Sequence, residues 1–314
     1  MAIPRNLSGF YYFPGCIATS IFVATLASGF CSLFSNLLTV IFAPMELSGI
    51  KLIAADMDGT LLDAGGELDK DFYSLFGQLK RHGILFAAAS GRQFFNLRNK
   101  FSPVSEEMAF IAENGSYLSY KGRDIFVQAM DPSITKELIR MARKIEGTYI
   151  ILSGKKKAYI ENTNPEFMHH VNIYCDRREV VTDLLQVEDD EFLKIAICDF
   201  RGSENNSFHY FSHLQDRLQV KISGKIWLDL SHLLANKGTA LEMLQKDRGI
   251  TANETMVFGD YLNDLEMMQQ AYFSYAMENA HPDIKKVSRF RAKANTENGV
   301  GIVLAELLNQ FSNA

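Results

Sequence analysis

Four short apolar runs, each ending on a small polar residue, constrain the fold of this chain more than any other feature. The runs IKLIAAD, ILFAAAS, MAFIAEN and TMVFGD stop at Asp56, Ser90, Asn114 and Asp260. Near-continuous apolar runs of this length are typical of parallel strands buried on both faces. In open α/β sheets, ligands bind beyond the carboxyl ends of the strands. The four polar residues are therefore expected to lie together in one site.

Helical patterns alternate with these runs, which predicts an α/β fold with a doubly wound, Rossmann-like parallel sheet. The segments DKDFYSLFGQLKRHG and NKGTALEMLQKDRG are predicted helices that end at Gly83 and Gly249. Residues 129–230 differ, because strand-like stretches such as TYIILSGKKKAYIEN lie in adjacent pairs. This part is predicted to be an inserted α+β domain, and residues 46–128 and 231–314 form the main domain.

The N-terminal segment, residues 1–45, is apolar, and no residue between Arg5 and Glu46 carries a charge. It is long enough to cross a bilayer, which takes about 20 apolar residues. It is either a membrane anchor through residues 6–45, a signal peptide, or a stretch that precedes the true start at Met45. A start at Met45 implies a cytoplasmic protein and an anchor implies an inner-membrane one. The segment is excluded from the fold prediction.

Composition excludes several classes of function. The chain has 314 residues, which predicts one large domain or two modest ones, and its formal net charge is −5. Lys and Arg are spread along the chain, which argues against a nucleic-acid partner. The four cysteines are far apart and form no C-x-x-C pair, so neither a zinc ribbon nor a disulfide framework is expected.

Carboxylates at the predicted sheet edge indicate a metal ion. Asp56, Asp58, Asp260 and Asp264 all follow buried strands. Two carboxylates about 4 Å apart repel each other by about 4 kcal/mol at an effective dielectric constant near 20. A hard divalent cation, best matched by Mg²⁺, relieves this repulsion and also binds a phosphate oxygen. The sequence therefore predicts Mg²⁺ and an anionic ligand.

The remaining polar residues at this edge suit a phosphate group. Ser90 and the backbone N–H of Gly91 can donate to phosphate oxygens, and Lys237 adds a positive charge at a helix start. An aspartate at this position can attack phosphorus and form an aspartyl-phosphate. Asp58 lies two residues after Asp56, so in an extended chain both carboxylates face the same side. Asp58 is then suited to act as general acid and base.

These motifs resemble those of the haloacid dehalogenase superfamily. DMDGTLLD resembles the first motif, AAASGRQ the second, Lys237 of NKGTAL the third and GDYLND the fourth. The stretches IAENGSYL, YAMENAHPDIK and NTENGVGIVL resemble the Cof-type subfamily. Within it the likeness is greatest to bacterial sugar phosphatases. The resemblance covers about residues 48–312 and leaves out the N-terminal segment.

The resemblance implies a role for each matching position. Asp56 is implied to be the nucleophile and a Mg²⁺ ligand, and Asp58 the acid and base, which also gives the metal its backbone carbonyl. Asp260 is implied to be the second metal carboxylate, with Asp264 in support. The implied phosphate-binding residues are Ser90, Gly91, Lys237 and Asn263. Residues 129–230 are implied to form a cap that closes over the site and selects a small phosphorylated metabolite, above all a sugar phosphate.

Two positions are less well defined by the motifs. Tyr261 stands where the family usually has a small or polar residue, and it is expected to point to solvent or to the cap. Arg92 is suited equally to contact phosphate or to form a structural ion pair.

Two pairs of histidines lack the further ligands of a zinc site and are expected at the surface. They are His209 with His213 and His169 with His170.

Other classes of function stay open at this point. Response-regulator receivers also phosphorylate an aspartate on a doubly wound sheet, so the chain can be a phospho-accepting regulatory module. Its length and its acid and base at Asp58 argue against that class. A phosphotransferase or mutase of the same superfamily, which passes the phosphoryl group to an acceptor other than water, is a second alternative. A membrane-tethered interaction protein, held by the N-terminal segment, is the weakest alternative.

Overall fold

A computed structural model of the chain describes residues 47–312. The three hypotheses for residues 1–45 therefore lie outside the described part. Within residues 47–312, no helix combines the length and the apolar character needed to cross a membrane.

Fourteen strands lie in the described part of the chain. They are β1 (Leu52–Asp56), β2 (Leu85–Ala89), β3 (Ala109–Ala112), β4 (Tyr117–Tyr120), β5 (Arg123–Val127), β6 (Thr148–Gly154), β7 (Ala158–Ile160), β8 (Arg178–Val180), β9 (Phe192–Asp199), β10 (Leu218–Gly224), β11 (Trp227–His232), β12 (Thr255–Gly259), β13 (Phe273–Met277) and β14 (Phe290–Ala292).

Nine α-helices accompany the strands between residues 47 and 312. They are α1 (Phe72–Arg81), α2 (Phe94–Lys100), α3 (Pro132–Ala142), α4 (Pro165–Tyr174), α5 (Ser207–Phe211), α6 (Lys237–Arg248), α7 (Leu265–Gln269), α8 (Pro282–Val287) and α9 (Gly299–Ser312). The predicted helices α1 and α6 are both present, and Gly249 follows the last residue of α6. The segment FHYFSHLQDRL forms only α5 and a single 3₁₀ turn.

The main sheet has eight strands in the order β14-β13-β12-β1-β2-β3-β4-β5. The pairs from β14 to β3 are parallel, which confirms the predicted doubly wound sheet. The strands β4 and β5 add an antiparallel edge that the sequence did not predict. The strand order reverses at β1, since β2 lies on one side of it and β12 on the other. Ligands bind at such a switch point.

Burial explains why these runs form central strands. All five residues of β1 are buried, as are all five of β12 and four of the five in β2. Strands covered on both faces need apolar side chains throughout, and the alanines of β1 and β2 meet this need. Each of these strands therefore delivers its carboxyl end to a fixed place beside its neighbours.

A second sheet of six strands has the order β10-β11-β9-β6-β7-β8. Its pairs are antiparallel except β7 with β8. Helix α3 packs on one face, where Leu138 and Leu152 belong to one apolar cluster, and α4 packs on the other, where Phe167 and Ile151 belong to a second cluster. Strand β11, which comes last along the chain in this sheet, ends at His232, two residues beyond the predicted limit of 230. The division into a main domain and a cap stays a prediction.

Gly115 follows β3 and packs against the start of α6. Its φ is +92°, and a Cβ atom there would lie 2.2 Å from the carbonyl oxygen of Asn236. Asn236 is the N-cap residue of α6, and its side chain accepts a hydrogen bond from the Thr239 N–H at 2.8 Å. Only glycine fits this close approach, so the helix start beside Lys237 depends on Gly115.

We expect Gly115→Ala to lower the free energy of unfolding by about 3 kcal/mol or more, because it adds a backbone clash to a left-handed conformation. Gly122→Ala is the matched control, since Gly122 has φ +70° but open space around its Cβ position. Its expected loss is about 1–2 kcal/mol. Urea unfolding of both variants measures the difference. Equal losses of unfolding free energy in the two variants would show that the close approach to Asn236 does not contribute to the effect of Gly115→Ala.

Candidate active site

Lys237 is the centre of a buried ion network at the carboxyl end of β1. Its Nζ lies 2.5 Å from Oδ1 of Asp56 and 2.6 Å from Oδ1 of Asp264. Lys237 and Asp264 have no exposed surface, and Asp56 is 6% exposed. A buried lysine is tolerated only when it is paired with carboxylates. Asp56, the last residue of β1, is thus held in a fixed position.

Asp264 organises the loop that follows β12. Its Oδ2 accepts hydrogen bonds from the backbone N–H groups of Asp260 and Tyr261, each at 3.0 Å. Its Oδ1 is already bonded to Lys237. Because both oxygens have protein partners, Asp264 supports the loop and orients Asp260.

The carboxylates of Asp56, Asp260 and Asp264 form a group that fits a metal ion. Their nearest oxygen atoms all lie within 4.8 Å of one another. Oδ1 of Asp260 also accepts a hydrogen bond from the Thr60 hydroxyl at 2.8 Å. Hard oxygen donors from several carboxylates are the donor set that Mg²⁺ prefers. Mg²⁺ therefore fits this group.

Asp58 is arranged differently from the other acidic residues. Its side chain is 45% exposed, and Arg92 binds both of its carboxylate oxygens, with Nε to Oδ2 at 2.7 Å and Nη2 to Oδ1 at 2.5 Å. Arg92 itself is held by Asn96 at 3.1 Å. Of the two roles open to Arg92, the ion pair is therefore the one present. The Asp58 carboxylate faces Arg92 and is not a member of the three-carboxylate group.

Burial and mutual repulsion shift the pKa values of this group. Burial raises the pKa of Asp56 well above its usual range, Lys237 opposes this, and Asp264 and Asp260 add to it. Burial, reinforced by Asp264, raises the pKa of Asp260 to about 7. Burial lowers the pKa of Lys237, but Asp264 and Asp56 outweigh it, so that pKa lies above its usual value. With all three carboxylates ionised, the site would carry more negative charge than one lysine can balance.

Three of the four predicted phosphate-binding residues lie around one cavity of about 400 Å³. Ser90, Gly91 and Asn263 line it together with Asp56, Asp58 and Asp260. Lys237 is not among its lining residues, because it is fully buried against its two carboxylate partners. Tyr261, expected at solvent or the cap, is part-buried, lines the cavity and meets the His281 ring edge to face at 5.9 Å.

Asn114 lies beside the predicted site, and the sequence only partly indicated its contacts. It has φ +55° and is 5% exposed. Its Oδ1 accepts a hydrogen bond from Asn263 Nδ2 at 3.0 Å, and its amide donates to Asp229 of β11. The AENG stretch signalled a strand end here, but nothing in it indicated a contact with the second sheet.

A buried charged cluster beside Asn114 was missed altogether. Lys194 of β9 lies 3.1 Å from Glu113, 3.4 Å from Asp229 and 2.6 Å from the carbonyl oxygen of Gly91. All three charged side chains line the same cavity. Burial raises the pKa of Glu113, and Lys194 opposes this. The cluster joins the second sheet to the Ser90–Gly91 turn.

Histidine positions divide between surface and cavity. His169, His209 and His213 are exposed, as predicted. The surface prediction was wrong for His170, which is part-buried on α4 and lines the cavity. The sequence could not show that this helix packs beside β11.

Comparison with known proteins places the chain in a family. The family model of haloacid dehalogenase-like hydrolases matches residues 53–304. An Escherichia coli K12 protein, 5-amino-6-(5-phospho-D-ribitylamino)uracil phosphatase YbjI, is 33% identical over 82% of this chain and 96% of that protein. An HMP-PP phosphatase of Enterobacter sp. 638 is 27% identical over 74% of this chain and 86% of its own length. The structure of SMU.1108c from Streptococcus mutans UA159 matches at TM-score 0.76 and 29% identity, over 83% of this chain and 99% of that one.

The chain belongs to the haloacid dehalogenase-like hydrolases. The resemblance seen in the motifs is confirmed, and the chain is an enzyme of the phosphatase class. This membership favours catalysis over the phospho-accepting regulatory module.

We expect Asp260→Asn to stabilise the metal-free protein at pH 8. The pKa of Asp260 is about 7 in the folded protein and about 4 in the unfolded chain. The contribution of Asp260 to stability is therefore complete below about pH 4 and is lost as the pH rises through about 7. In EDTA at pH 8 the free energy of unfolding of the variant should exceed that of the natural chain by on the order of 2 kcal/mol. At pH 4 the two free energies should be equal. Urea unfolding at both pH values provides the measurement.

Asp216→Asn, at an exposed position, is the control and should change stability at neither pH. A natural chain more stable than Asp260→Asn at pH 8 in EDTA would contradict the account of repelling carboxylates.

Proposed function

We propose that the protein is a Mg²⁺-dependent phosphomonoesterase that hydrolyses small sugar phosphates or related metabolites through an aspartyl-phosphate on Asp56. The observation that carries this proposal is the position of Asp56. It ends the central strand at the switch point, it borders the cavity, and its Oδ1 is 2.5 Å from the buried Nζ of Lys237. A carboxylate so fixed beside a cavity can act as a nucleophile.

The metal in this proposal is held by the carboxylates of Asp56 and Asp260 and by the backbone carbonyl of Asp58. Asp264 supports the site through its bonds to Lys237 and to the loop of Asp260. Bound Mg²⁺ would balance the excess negative charge and stabilise the charge of the substrate phosphate.

The chain's own residues bind and position the phosphate group. Ser90, the Gly91 N–H and the Asn263 amide bind the phosphate oxygens, and Asn114 fixes the direction of that amide. Lys237 lowers the pKa of Asp56 against the effect of burial and holds its carboxylate in place, and the charge of Lys237 also favours the approach of phosphate. These contacts position the phosphorus atom before Asp56, which supplies much of the rate enhancement.

Two steps then follow. An oxygen of Asp56 forms a bond to phosphorus while the bond to the alcohol oxygen breaks, and Asp58 gives its proton to that oxygen. Water next attacks the phosphorus of the aspartyl-phosphate, Asp58 takes a proton from it, and Asp56 and inorganic phosphate are released. Arg92 binds both oxygens of Asp58, so Asp58 must exchange one of these bonds for the leaving alcohol.

The second sheet is proposed to act as a cap over the cavity. The cavity walls include Lys194, Asp229 and Trp227 from this sheet. A cap of this kind excludes bulk water during the reaction and must open to release product. The relatives named above are phosphatases of 5-amino-6-(5-phospho-D-ribitylamino)uracil and of HMP-PP, so both compounds belong in a substrate panel with sugar phosphates. The proposal includes a cytoplasmic location.

We expect the purified full-length protein to release inorganic phosphate from members of this panel with Mg²⁺ but not with EDTA. Asp56→Asn should lower kcat by at least about a thousandfold, because it removes the nucleophile. Asp216→Asn is the matched control and should retain full activity. A malachite green assay of phosphate measures both.

Phosphate release that survives Asp56→Asn would disprove the nucleophile. Transfer of the phosphoryl group to an added alcohol, without free phosphate, would establish the phosphotransferase alternative in place of hydrolysis.

A further inference from the structure

We propose that His170, Tyr174 and Trp227 form a binding subsite for a planar ring carried by the leaving group of the substrate. We call these three side chains the aromatic corner. The inference rests on the proposed phosphatase function and adds the chemical class of its substrates, which are phosphate monoesters of alcohols that bear a planar ring.

The aromatic corner is built from two elements of the second sheet. His170 and Tyr174 are one turn apart on α4, so they lie on the same side of the helix. Trp227 begins β11, and its ring stands edge to face with both, at 5.7 Å from Tyr174 and 6.2 Å from His170. All three are part-buried, which leaves ring surface open to the cavity that they line.

The corner is continuous with the proposed catalytic centre. The Arg92 guanidinium lies 5.1 Å from the centre of the Tyr174 ring and binds Asp58 with its nitrogen atoms. One side chain therefore separates the aromatic corner from the general acid. A cavity of about 400 Å³ falls in the range of pockets for small organic ligands, about 300–1,000 Å³. It has room for more than a phosphate group.

Two of the cations that line the cavity have most of their hydrogen-bond donors bound within the protein. A lysine has three N–H donors, and Lys194 directs its own at Gly91, Glu113 and Asp229. Three of the five donors of Arg92 are bonded to Asp58 and Asn96. Of these two cations, only Arg92 keeps donors for a leaving group.

Part of the wall around the corner is apolar. Ile151, Ala196 and Ile226 line the cavity beside the three rings. Burial lowers the pKa of His170, and His169 adds to this, which favours the neutral form of its aromatic ring. Planar rings bind well to such surfaces, because aromatic contacts add to the gain from burial. A planar ring on the leaving alcohol is thus the group that fits.

A matched pair of esters tests this directly in the full-length protein with Mg²⁺. The pair is 3-phenylpropyl phosphate and propyl phosphate, which present the same type of primary alcohol and differ in the ring. The expected result is a KM at least about tenfold lower for the phenyl ester, with a similar kcat. The ester 3-cyclohexylpropyl phosphate has an apolar ring that is not planar, and its KM should be higher than that of the phenyl ester.

Variants locate the preference. Trp227→Ala and Tyr174→Ala should each reduce the preference in kcat/KM for the phenyl ester toward one, while Trp227→Phe should retain most of it. Tyr210→Ala, which removes an aromatic ring 51% exposed on α5, is the control and should leave the preference unchanged. A preference that persists in Trp227→Ala and Tyr174→Ala, or equal KM values for the two esters in the natural chain, would overturn the proposal.

A binding measurement separates this inference from the proposed function. Trp227 is the single tryptophan of the sequence, so its fluorescence reports on the corner alone. In the Asp56→Asn variant, 3-phenylpropyl phosphate should change this emission at concentrations where inorganic phosphate and propyl phosphate do not. If no ester is hydrolysed by the natural chain but the emission changes, the function fails and the subsite stands. If esters are hydrolysed and the emission never responds, the subsite fails and the function stands.

Discussion

The ion pairs of Lys237 with Asp56 and Asp264 are the interaction on which the rest of the site depends. Removing a lysine from water is unfavourable by several kcal/mol, so its charge is stable only because two carboxylates lie at 2.5 Å and 2.6 Å. Asp264 then holds the backbone of Asp260 through its second oxygen. One buried cation thereby fixes both the end of β1 and the loop after β12, and the excess of carboxylates beside it suits a divalent metal.

The segment Glu113–Gly115 connects this network to the second sheet. Glu113 and Asn114 both have positive φ, a backbone conformation that persists only where surrounding contacts hold it. Those contacts run from Asn114 to Asn263 and Asp229, and from Glu113 to Lys194. A shift of the second sheet would therefore move residues that are proposed to bind phosphate. This gives a physical route by which binding of a leaving group and positioning of phosphate can affect each other.

The sequence predicted the part of the structure that depends on strand ends. Buried parallel strands must end at one edge, so Asp56, Ser90 and Asp260 could be brought together from pattern alone. It left the role of Arg92 open without naming Asp58 as a partner, and it did not predict the corner at Trp227, because such contacts depend on how separate elements pack. Periodicity shows which face of an element is buried, but not which element covers it. The antiparallel strands β4 and β5 were missed for a different reason, since no residue of β5 is buried and this edge lacks the long apolar run of a central strand.

Trapping of the covalent intermediate tests the central claim most directly. The full-length protein is mixed with a hydrolysed ester and Mg²⁺, quenched during turnover and treated with borohydride, which reduces an acyl phosphate to an alcohol. Peptide mass spectrometry should then find homoserine at position 56 and unmodified aspartate at positions 58, 260 and 264. Reduction at another aspartate, or at none while phosphate is being released, would contradict the account of Asp56 as the nucleophile.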